Sequence, residues 1–331
     1  MAAMAIIQKM TKISNSKIIS SGSYLPAKTL SNADLEKIVD TTDEWITART
    51  GIKNRHISTK DELTSDIAIL AAQKALAKIN FPAEDIDLII LATTTPDLTF
   101  PATATTIQAK IGATNAFAFD IQAVCSGFVY ALNVADNFIK SGQVKNALVI
   151  GADTLSKIVD WKDRNTCVLF GDGAGAVILQ ATPNENEGII ASNLYSDGSL
   201  NDILKTSGGT ALSGSAGTIQ MQGKDVFKHA VDKMSKSVIA TLAKANLEVA
   251  DIDWLIPHQA NARILSAVAK KLSLPEEKVV MIVEKHANTS AASIPLALDI
   301  TLSENKIKKG DIVVFEALGG GLTWGASVVR W

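Results

Sequence analysis

The feature that most constrains the fold is an internal repeat that relates the two halves of this 331-residue chain. Residues 75–90 read ALAKINFPAEDIDLII and residues 241–256 read TLAKANLEVADIDWLI, an offset of 166 with eight of sixteen positions identical. The same offset places the apolar residues 147–150 over residues 313–316. Self-similarity at a fixed offset indicates a duplicated structural unit. We therefore predict two copies of one helix–strand unit, each occupying about half of the chain.

Helical and strand patterns alternate within each half. Residues 67–79 have the apolar spacing of an amphipathic helix. Residues 86–92 follow as a continuous apolar run that is too short for a helix. Similar apolar runs occupy residues 147–151, 174–179, 254–256 and 312–316. Such runs are typical of strands buried on both faces, so the alternation predicts an α/β fold with parallel strands.

Polar segments mark the expected limits of the two halves. The connection ATPNENEG surrounds Pro183 and favours halves of 17–182 and 183–331. Residues 1–16 precede the first half, and we interpret them as an N-terminal extension. Residues 207–217 are rich in glycine and serine, and we predict a loop without regular structure that borders a binding site.

Composition limits the classes of function. The formal net charge is −2, so no overall basic field attracts nucleic acid. No apolar run reaches the ~20 residues that a membrane-spanning helix needs. Two cysteines, Cys125 and Cys167, are too few for a disulfide framework or a zinc site. We therefore expect a soluble, cytoplasmic protein without a metal.

Cys125 is the candidate nucleophile. It follows a strand-like stretch at 120–124 and precedes a helical pattern at 127–139, which places it in the first turn of a helix. The N–H groups and the dipole at a helix start stabilise a thiolate. A free cysteine is also often a small buried apolar residue, so both interpretations stay open for Cys125 at this point. Cys167 lies in an apolar run, and we predict a structural role for it.

The repeat brings two further polar residues toward Cys125. His258 directly follows the predicted strand at 254–256 and Pro257, and sites in open α/β sheets form at the carboxyl ends of strands. Adding the offset of 166 to Cys125 gives position 291, which lies within the stretch NTSAAS that begins at Asn288. The duplicated fold therefore predicts that Cys125, His258 and Asn288 meet.

Seven blocks of the sequence resemble the β-ketoacyl-acyl-carrier-protein synthase III family, whose members initiate type II fatty acid synthesis. The blocks are GSYLP (22–26), TTDEWITARTGI (41–52), AVCSGFVYAL (123–132), FGDGAGAVIL (170–179), PHQANARI (257–264), NTSAASIP (288–295) and GGGLTWGASVVRW (319–331). They occur in the family's order, and the resemblance covers residues 17–331. It implies a thiolase-like fold of two duplicated halves in five αβαβα layers, and a homodimer.

The resemblance implies a two-stage reaction. Cys125 would take the acyl group of an acyl-CoA such as acetyl-CoA, which is a substrate, and no cofactor is expected. Malonyl acyl carrier protein would then lose carbon dioxide while His258 and Asn288 donate hydrogen bonds to its thioester carbonyl. The resulting enolate would attack the acyl-cysteine. The backbone N–H groups of Cys125 and Gly320 would form a second oxyanion hole.

The resemblance also assigns binding residues. Trp45 and Arg164 would enclose the adenine of CoA, since an indole and a guanidinium both stack on a nucleobase. The complete CoA and pantetheine set is Thr41, Trp45, Arg49, Arg164, Gly223, Phe227, Asn261 and Arg263. The basic residues that would meet an acidic carrier protein are Lys228, Arg263, Lys270 and Lys271. Phe100 would close the acyl pocket of the other subunit.

One departure and two alternatives accompany the resemblance. The family often has glycine directly before Asn288, whereas this chain has Ala287, so we expect altered geometry there. A related acyl-CoA-dependent acyltransferase, or a condensing enzyme of secondary metabolism, would use the same acyl-cysteine. A carrier-protein-binding module with a decayed site is the non-enzymatic alternative. Asn288 argues against transfer to an oxygen or nitrogen nucleophile, and the intact trio argues against a decayed site.

Overall fold

The structure is a computed structural model that describes residues 15–331. The strands are β1 (Asn15–Tyr24), β2 (Thr29–Ser31), β3 (Asn54–His56), β4 (Leu88–Ala92), β5 (Phe117–Ile121), β6 (Asn146–Thr154), β7 (Asp172–Thr182), β8 (Gly188–Ser196), β9 (Leu204–Thr206), β10 (Ile219–Met221), β11 (Trp254–Pro257), β12 (Ile312–Gly319) and β13 (Thr323–Arg330). The helices are α1 (Asn32–Leu35), α2 (Asp43–Thr50), α3 (Thr64–Lys78), α4 (Thr103–Ile111), α5 (Gly127–Lys140), α6 (Thr210–Ser213), α7 (Gly223–Lys244), α8 (Ala262–Leu272), α9 (Val283–His286) and α10 (Ser293–Ser303).

Two large sheets and three helical layers form the fold. One sheet has the order β1-β7-β6-β4-β5, and the other has the order β11-β12-β13-β8. Between them lie α5 and α10, whose Phe128 and Leu298 share one apolar core with Val149 of β6 and Phe315 of β12. Helices α3 and α4 cover the outer face of the first sheet, and α7 and α8 cover that of the second. The predicted αβαβα layering is confirmed.

The repeat holds residue by residue. Leu88 of β4 pairs in parallel with Ala147 of β6, and Trp254 of β11 pairs in parallel with Val313 of β12. Each member of the second pair lies 166 positions after its counterpart. The same offset relates two short 3₁₀ turns, Val124–Ser126 before α5 and Ser290–Ala292 before α10. The five apolar runs predicted as strands are strands, and each is fully or almost fully buried.

Two sequence predictions differ from the structure in detail. The predicted helix at 67–79 begins earlier, at Thr64, because the Asp66 carboxylate accepts the Leu63 N–H and caps the start. Residues 207–217 are not wholly irregular: α6 lies within them, held by Ser213 Oγ against the Gly209 and Ser215 carbonyls. Strands β9 and β10 pair on either side, so this segment is the tip of a hairpin.

The predicted N-terminal extension, residues 1–16, also needs a correction where the structure describes it. Asn15 and Ser16 begin β1, and Ser16 is fully buried with its Oγ donating to Asp136 at 2.7 Å. The remainder of that extension lies outside the described residues. Within residues 15–331, no helix combines the length and the apolar character that crossing a bilayer requires.

The first prediction tests how closely the two halves approach. Gly151 of β6 faces the turn Ser290–Ala292, and a Cβ at that position would lie 2.2 Å from the Ala291 carbonyl oxygen. Gly151→Ala should therefore destabilise the protein by at least about 2 kcal/mol, because backbone would have to move. Gly198→Ala is the control, since a Cβ there meets nothing within 4 Å. Urea unfolding measures both variants, and equal stabilities would contradict the close approach.

Candidate active site

Cys125, His258 and Asn288 line one cavity of about 740 Å³. Cys125 lies in the 3₁₀ turn immediately before α5, and His258 directly follows β11. Asn288 follows α9 and precedes the second 3₁₀ turn. All three are buried, with exposed fractions of 2–6%. The structure therefore brings together the three residues that the repeat predicted would meet.

Asn288 is held by its backbone so that its amide group is available to a ligand. Its N–H donates to the Leu169 carbonyl at 2.9 Å, and its own carbonyl accepts the Gly171 N–H at 3.0 Å. Its side-chain Oδ1 accepts the Ser290 N–H at 2.9 Å. Because Oδ1 is engaged, the Nδ2 group is the part of the side chain left to donate hydrogen bonds.

The contacts of His258 select one tautomer. Its Nδ1 lies 2.7 Å from Ser293 Oγ, and that oxygen also accepts the Gln259 N–H at 3.2 Å. The Ser293 hydroxyl is therefore best placed to donate to Nδ1, which leaves the proton of the neutral ring on Nε2. Burial lowers the pKa of His258 to about 3, opposed by the nearby Ser290 carbonyl. His258 is thus a neutral hydrogen-bond donor, as Asn288 is.

The predicted thiolate at Cys125 is not what the free site shows. Burial raises the pKa of the Cys125 thiol to about 12, and the hydrogen bond from Ser290 lowers it by less. A helix start stabilises an anion by up to about 2 kcal/mol, whereas full burial shifts a pKa by several units. At this position the effect of desolvation therefore exceeds that of the helix start, and Cys125 remains a thiol until another group accepts its proton.

Two backbone N–H groups beside Cys125 are open. Among residues 15–331, the N–H groups of Cys125 and Gly320 donate to no backbone or side-chain acceptor. Glycine at position 319 keeps the space beside the Cys125 N–H clear, because a Cβ there would lie 2.7 Å from the Cys125 nitrogen. Open, fixed N–H groups next to a nucleophile are the geometry of an oxyanion hole. The arrangement suits the predicted role of Cys125 and Gly320.

The duplicated fold contains a twin of this hole, and the twin is filled. Ala291 and Thr154 occupy the positions 166 residues away from Cys125 and Gly320. The Ala291 N–H donates to Asp153 Oδ2 at 3.3 Å, and the Thr154 N–H donates to Thr95 Oγ1 at 2.8 Å. The counterpart of Asp153 in the second half is Gly319. Each of the two holes takes one donor from each half, and they differ in whether side chains occupy the donors.

Cys125 also borders a second cavity, of about 370 Å³. Its walls include Leu155, Phe170, Leu204 and Ile219. These side chains are apolar, so the space is suited to a hydrocarbon chain. Leu204 of β9 and Ile219 of β10 come from the two strands of the hairpin, whereas no residue of its tip, 207–217, lines either cavity. Cys125 therefore lies at the junction of two cavities.

Six of the eight residues predicted to bind CoA line the larger cavity. They are Trp45, Arg49, Gly223, Phe227, Asn261 and Arg263. The Arg49 guanidinium carbon lies 4.3 Å from the centre of the Trp45 ring, and that of Arg263 lies 5.7 Å from the centre of the Phe227 ring. These pairs form a cationic, aromatic mouth above an apolar channel.

Thr41 and Arg164 are the two predicted residues outside this lining. Arg164 lies 5.1 Å from the Trp45 ring centre and donates to the Asp40 carbonyl at 3.0 Å. A flat base between them needs ~7 Å, twice the carbon–carbon contact distance of about 3.5 Å. The pair is therefore closed in this structure, and Arg164 would have to swing outward to enclose an adenine.

The predicted carrier-protein patch lies on neighbouring helices. Lys228 is on α7, and Arg263, Lys270 and Lys271 are on α8. All four are exposed. Lys271 differs from the rest, because its Nζ is paired with Asp232 at 2.7 Å. Its charge is partly neutralised, so Lys228, Arg263 and Lys270 carry most of the positive charge of this face.

The sequence did not single out several residues that border the site. Val226, Ala230 and Met234 line the larger cavity from α7, and their spacing of four places them on one helix face. That spacing is visible in the sequence and could have identified them. Ser290 and Ser293 were also missed, although both lie within the NTSAAS stretch. Their roles depend on which group each hydroxyl meets, which the spacing does not show.

Ala287 has a backbone conformation that normally requires glycine. Its φ is +59° and its ψ is −162°, and its side chain is buried. That region is essentially restricted to glycine and costs a residue with a Cβ about 1–3 kcal/mol. The expectation that Ala287 alters this segment therefore has a physical basis, since strain is stored directly before Asn288.

The second prediction tests that strain. Ala287→Gly should leave the free energy of unfolding within about 1 kcal/mol, because strain relief offsets the lost methyl contacts and the added chain entropy. Ala292→Gly is the matched control: Ala292 is buried but has φ −74°, so it has no strain to relieve. We expect Ala292→Gly to cost about 1–2 kcal/mol in urea unfolding. Equal losses in the two variants would refute strain at Ala287.

Comparison with known proteins agrees with this site. Residues 119–198 match the family model described as 3-oxoacyl-[acyl-carrier-protein (ACP)] synthase III, and residues 242–331 match its C-terminal model. The chain is 57% identical to a β-ketoacyl-[acyl-carrier-protein] synthase III of Ehrlichia canis over 95% of this chain and 99% of that protein. It is 58% identical to that of Wolbachia pipientis over 96% of this chain and all of that one.

A solved structure supports the same relation. The crystal structure of 3-oxoacyl-[acyl-carrier-protein] synthase III from Aquifex aeolicus superposes with a TM-score of 0.91 at 50% identity, covering 96% of this chain and 100% of that one. Both comparisons span nearly the whole chain, including the segments that carry Cys125, His258 and Asn288. The chain therefore belongs to the β-ketoacyl-[acyl-carrier-protein] synthase III family, acyltransferases of thiolase fold that act in fatty acid synthesis.

Proposed function

We propose that this chain joins an acyl-CoA to malonyl acyl carrier protein through an acyl group carried on Cys125. The observation that carries the proposal is the position of Cys125 between two cavities with a separate pair of donors on each side. The backbone N–H groups of Cys125 and Gly320 are open among the described residues and border the smaller cavity, where they would meet one reacting carbonyl. The side chains of His258 and Asn288 face the larger cavity, where a second thioester would lie.

In the first stage, the acyl-CoA enters the larger cavity past Trp45 and Arg49. The apolar walls of the channel suit the pantetheine arm, and the cationic mouth suits the phosphates of CoA. The thiol sulfur of Cys125 attacks the acyl carbon, and the carbonyl oxygen becomes negative. The open N–H groups of Cys125 and Gly320 stabilise that charge, and the acyl chain turns into the smaller cavity.

In the second stage, the malonyl thioester occupies the larger cavity. Loss of carbon dioxide leaves an enolate, whose negative oxygen needs two donors. Nε2 of His258 and Nδ2 of Asn288 supply them, because their other polar atoms are bound by Ser293 and by the Ser290 N–H. The enolate carbon then attacks the acyl-cysteine, and Cys125 leaves as a thiolate. We propose acetyl-CoA as the starter.

The third prediction tests the separate roles of Cys125 in acyl transfer and of His258 in decarboxylation. With labelled acetyl-CoA and malonyl acyl carrier protein, the native chain should bind label covalently, release carbon dioxide and form a β-ketoacyl product. Cys125→Ala should lose all condensation. His258→Ala should still accept label on Cys125 but lose about 10²-fold or more in carbon dioxide release, since one oxyanion donor is gone.

Other outcomes of that assay would favour other functions. Covalent labelling of the native chain without a condensed product would indicate an acyltransferase for oxygen or nitrogen nucleophiles. Absence of any labelling would indicate a carrier-binding module. Condensation by Cys125→Ala would contradict the mechanism. A series of acyl-CoAs of increasing length measures the chain that the smaller cavity admits.

We also propose a homodimer, on the basis of one exposed apolar region. Strand β5 is an edge strand that pairs only with β4 among the described residues. Phe117 of β5 is 41% exposed, and Leu98 and Phe100 in the segment before α4 are 60% and 83% exposed. An open strand edge beside large exposed apolar side chains is typical of a protein interface. In the dimer, Phe100 would reach the acyl cavity of the partner subunit.

The fourth prediction concerns Phe100. The protein should have twice its chain mass in light scattering after size exclusion. Phe100→Ala should shift the preference toward longer acyl-CoAs, because a wall of the acyl cavity would recede. Leu98→Ala is the control, since it removes a neighbouring exposed side chain without opening that cavity. A monomeric mass, or an equal shift in both variants, would contradict the role of Phe100.

We propose the cytoplasm as the location of the protein. Both Cys125 and Cys167 are free and buried, and free thiols are the state that a reducing compartment maintains. The carrier protein would dock on the face formed by Lys228, Arg263 and Lys270, close to the mouth of the larger cavity. Such docking should weaken as salt is added, because exposed charges are screened.

A further inference from the structure

The chemistry of Cys125 leaves one proton without an acceptor. The thiol must lose its proton as it attacks, yet its pKa is about 12 in the free site. The ring nitrogen of His258 that can accept a proton, Nδ1, is bound to Ser293 at 2.7 Å. The other nitrogen already carries a proton and is used as a donor. Another group must therefore receive the proton of Cys125.

Asp153 lies close to this position and is fully buried. Its Oδ1 accepts three hydrogen bonds, from the Thr94 N–H at 2.6 Å and from the hydroxyls of Thr93 and Thr95 at 3.1 and 3.2 Å. Its Oδ2 accepts one well-formed hydrogen bond among residues 15–331, from the Ala291 N–H at 3.3 Å. One carboxylate oxygen is thus saturated, and the other retains a lone pair on the side of the turn that contains Ser290.

Ser290 stands between Asp153 and Cys125. It lines the smaller cavity together with Cys125, and it directly precedes Ala291, whose N–H contacts Asp153. Its Oγ is buried and makes no hydrogen bond of good geometry within the part of the chain that the structure describes, only weaker contacts that lower the pKa of Cys125 and of Asp153. A buried hydroxyl without a well-formed partner is uncommon and calls for an explanation. Rotation about the Cα–Cβ bond can aim this hydroxyl at either neighbour.

We propose that Ser290 and Asp153 receive the thiol proton of Cys125 during acyl transfer and hold it until condensation. The inference rests on the proposed role of Cys125 as the acyl carrier. It adds the proton acceptor that this role requires, and Ser290 gives the second half of the fold a part in the chemistry of the first. Asp153 acts on Cys125 through Ser290, which lines the smaller cavity.

The proton and electron movements balance over the two stages. Sγ of Cys125 bonds to the acyl carbon as that carbon loses its bond to the CoA sulfur. The thiol proton moves to Ser290 Oγ while the Ser290 proton moves to Asp153 Oδ2. CoA leaves as a thiolate and takes a proton from solvent. In condensation, the Cys125 sulfur leaves with its electron pair and recovers the stored proton by the reverse path.

The pKa values of Cys125 (about 12) and Asp153 (about 6) differ widely, so the proton moves from the thiol to the carboxylate only as the sulfur bonds to the acyl carbon. Burial raises the pKa of Asp153 to about 6, opposed by the hydrogen bonds from Thr94 N–H, Ser290, Ala291 N–H and Thr93. Asp153 is therefore mainly a carboxylate near neutral pH and can accept a proton. The acylation rate should rise with pH through about 6 and level off above, because protonated Asp153 cannot accept. Cys125 is the titratable group that faces it.

The fifth prediction uses the release of CoA from acetyl-CoA without a malonyl substrate, which isolates acylation. Asp153→Asn and Ser290→Ala should each slow the first turnover about 10²-fold, the usual contribution of a proton acceptor. In both variants the rise near pH 6 should vanish, and the rate should climb steadily with added base. Alkylation of Cys125 by iodoacetamide should show the same change of pH profile.

Asp172→Asn is the matched control. Asp172 is also buried on the strand next to Asp153, where it pairs with Thr154, but its carboxylate bonds Ser58 and Ser156 rather than the groups around Cys125. This variant should keep the pH profile of the native protein even if its stability falls. If the native protein fails to release CoA, the proposed function itself fails. If the native protein acylates and the two variants keep the rise near pH 6, the proton path alone is overturned.

Discussion

The contact between the two 3₁₀ turns is the constraint on which the rest of the structure depends. A Cβ on Gly127 would lie 3.5 Å from the Ala291 side chain, and Gly151 leaves no room for any side chain against the Ala291 carbonyl. This approach joins the two sheets through their middle helical layer. It also sets Cys125 beside Ser290 and within reach of His258 and Asn288. The site is therefore a consequence of how duplicated backbones meet, rather than of one loop.

Burial at that contact determines the chemistry as well as the packing. The same desolvation raises the pKa of Cys125 and of Asp153 and lowers that of His258. Burial thus holds Cys125 as a thiol and His258 as a neutral imidazole, and it makes the Asp153 carboxylate a better proton acceptor than an exposed one. Small hydroxyl groups, those of Ser290 and Ser293, then decide which partner each of these groups meets. Donors for two oxyanions can coexist because none of them is charged.

Much of this could be predicted from the sequence, and the rest could not for physical reasons. The 166-residue offset predicted the paired parallel strands and the meeting of Cys125 with the stretch after Asn288, because register follows backbone spacing. It did not predict the protonation of Cys125, since local sequence indicates a helix start but not the depth of burial. Nor did it predict the closed pair of Trp45 and Arg164, whose distance depends on side-chain contacts across three segments.

The filled twin of the oxyanion hole has an evolutionary consequence. A duplication begins with two equal copies of such a hole, and in one of them the side chains of Asp153 and Thr95 now accept hydrogen bonds from both donors. If Asp153 also stores the proton of Cys125, the filled hole serves the open one. Amino-acid substitution at Asp153 and Thr95 would then be restricted as tightly as at Cys125, although neither residue contacts a substrate.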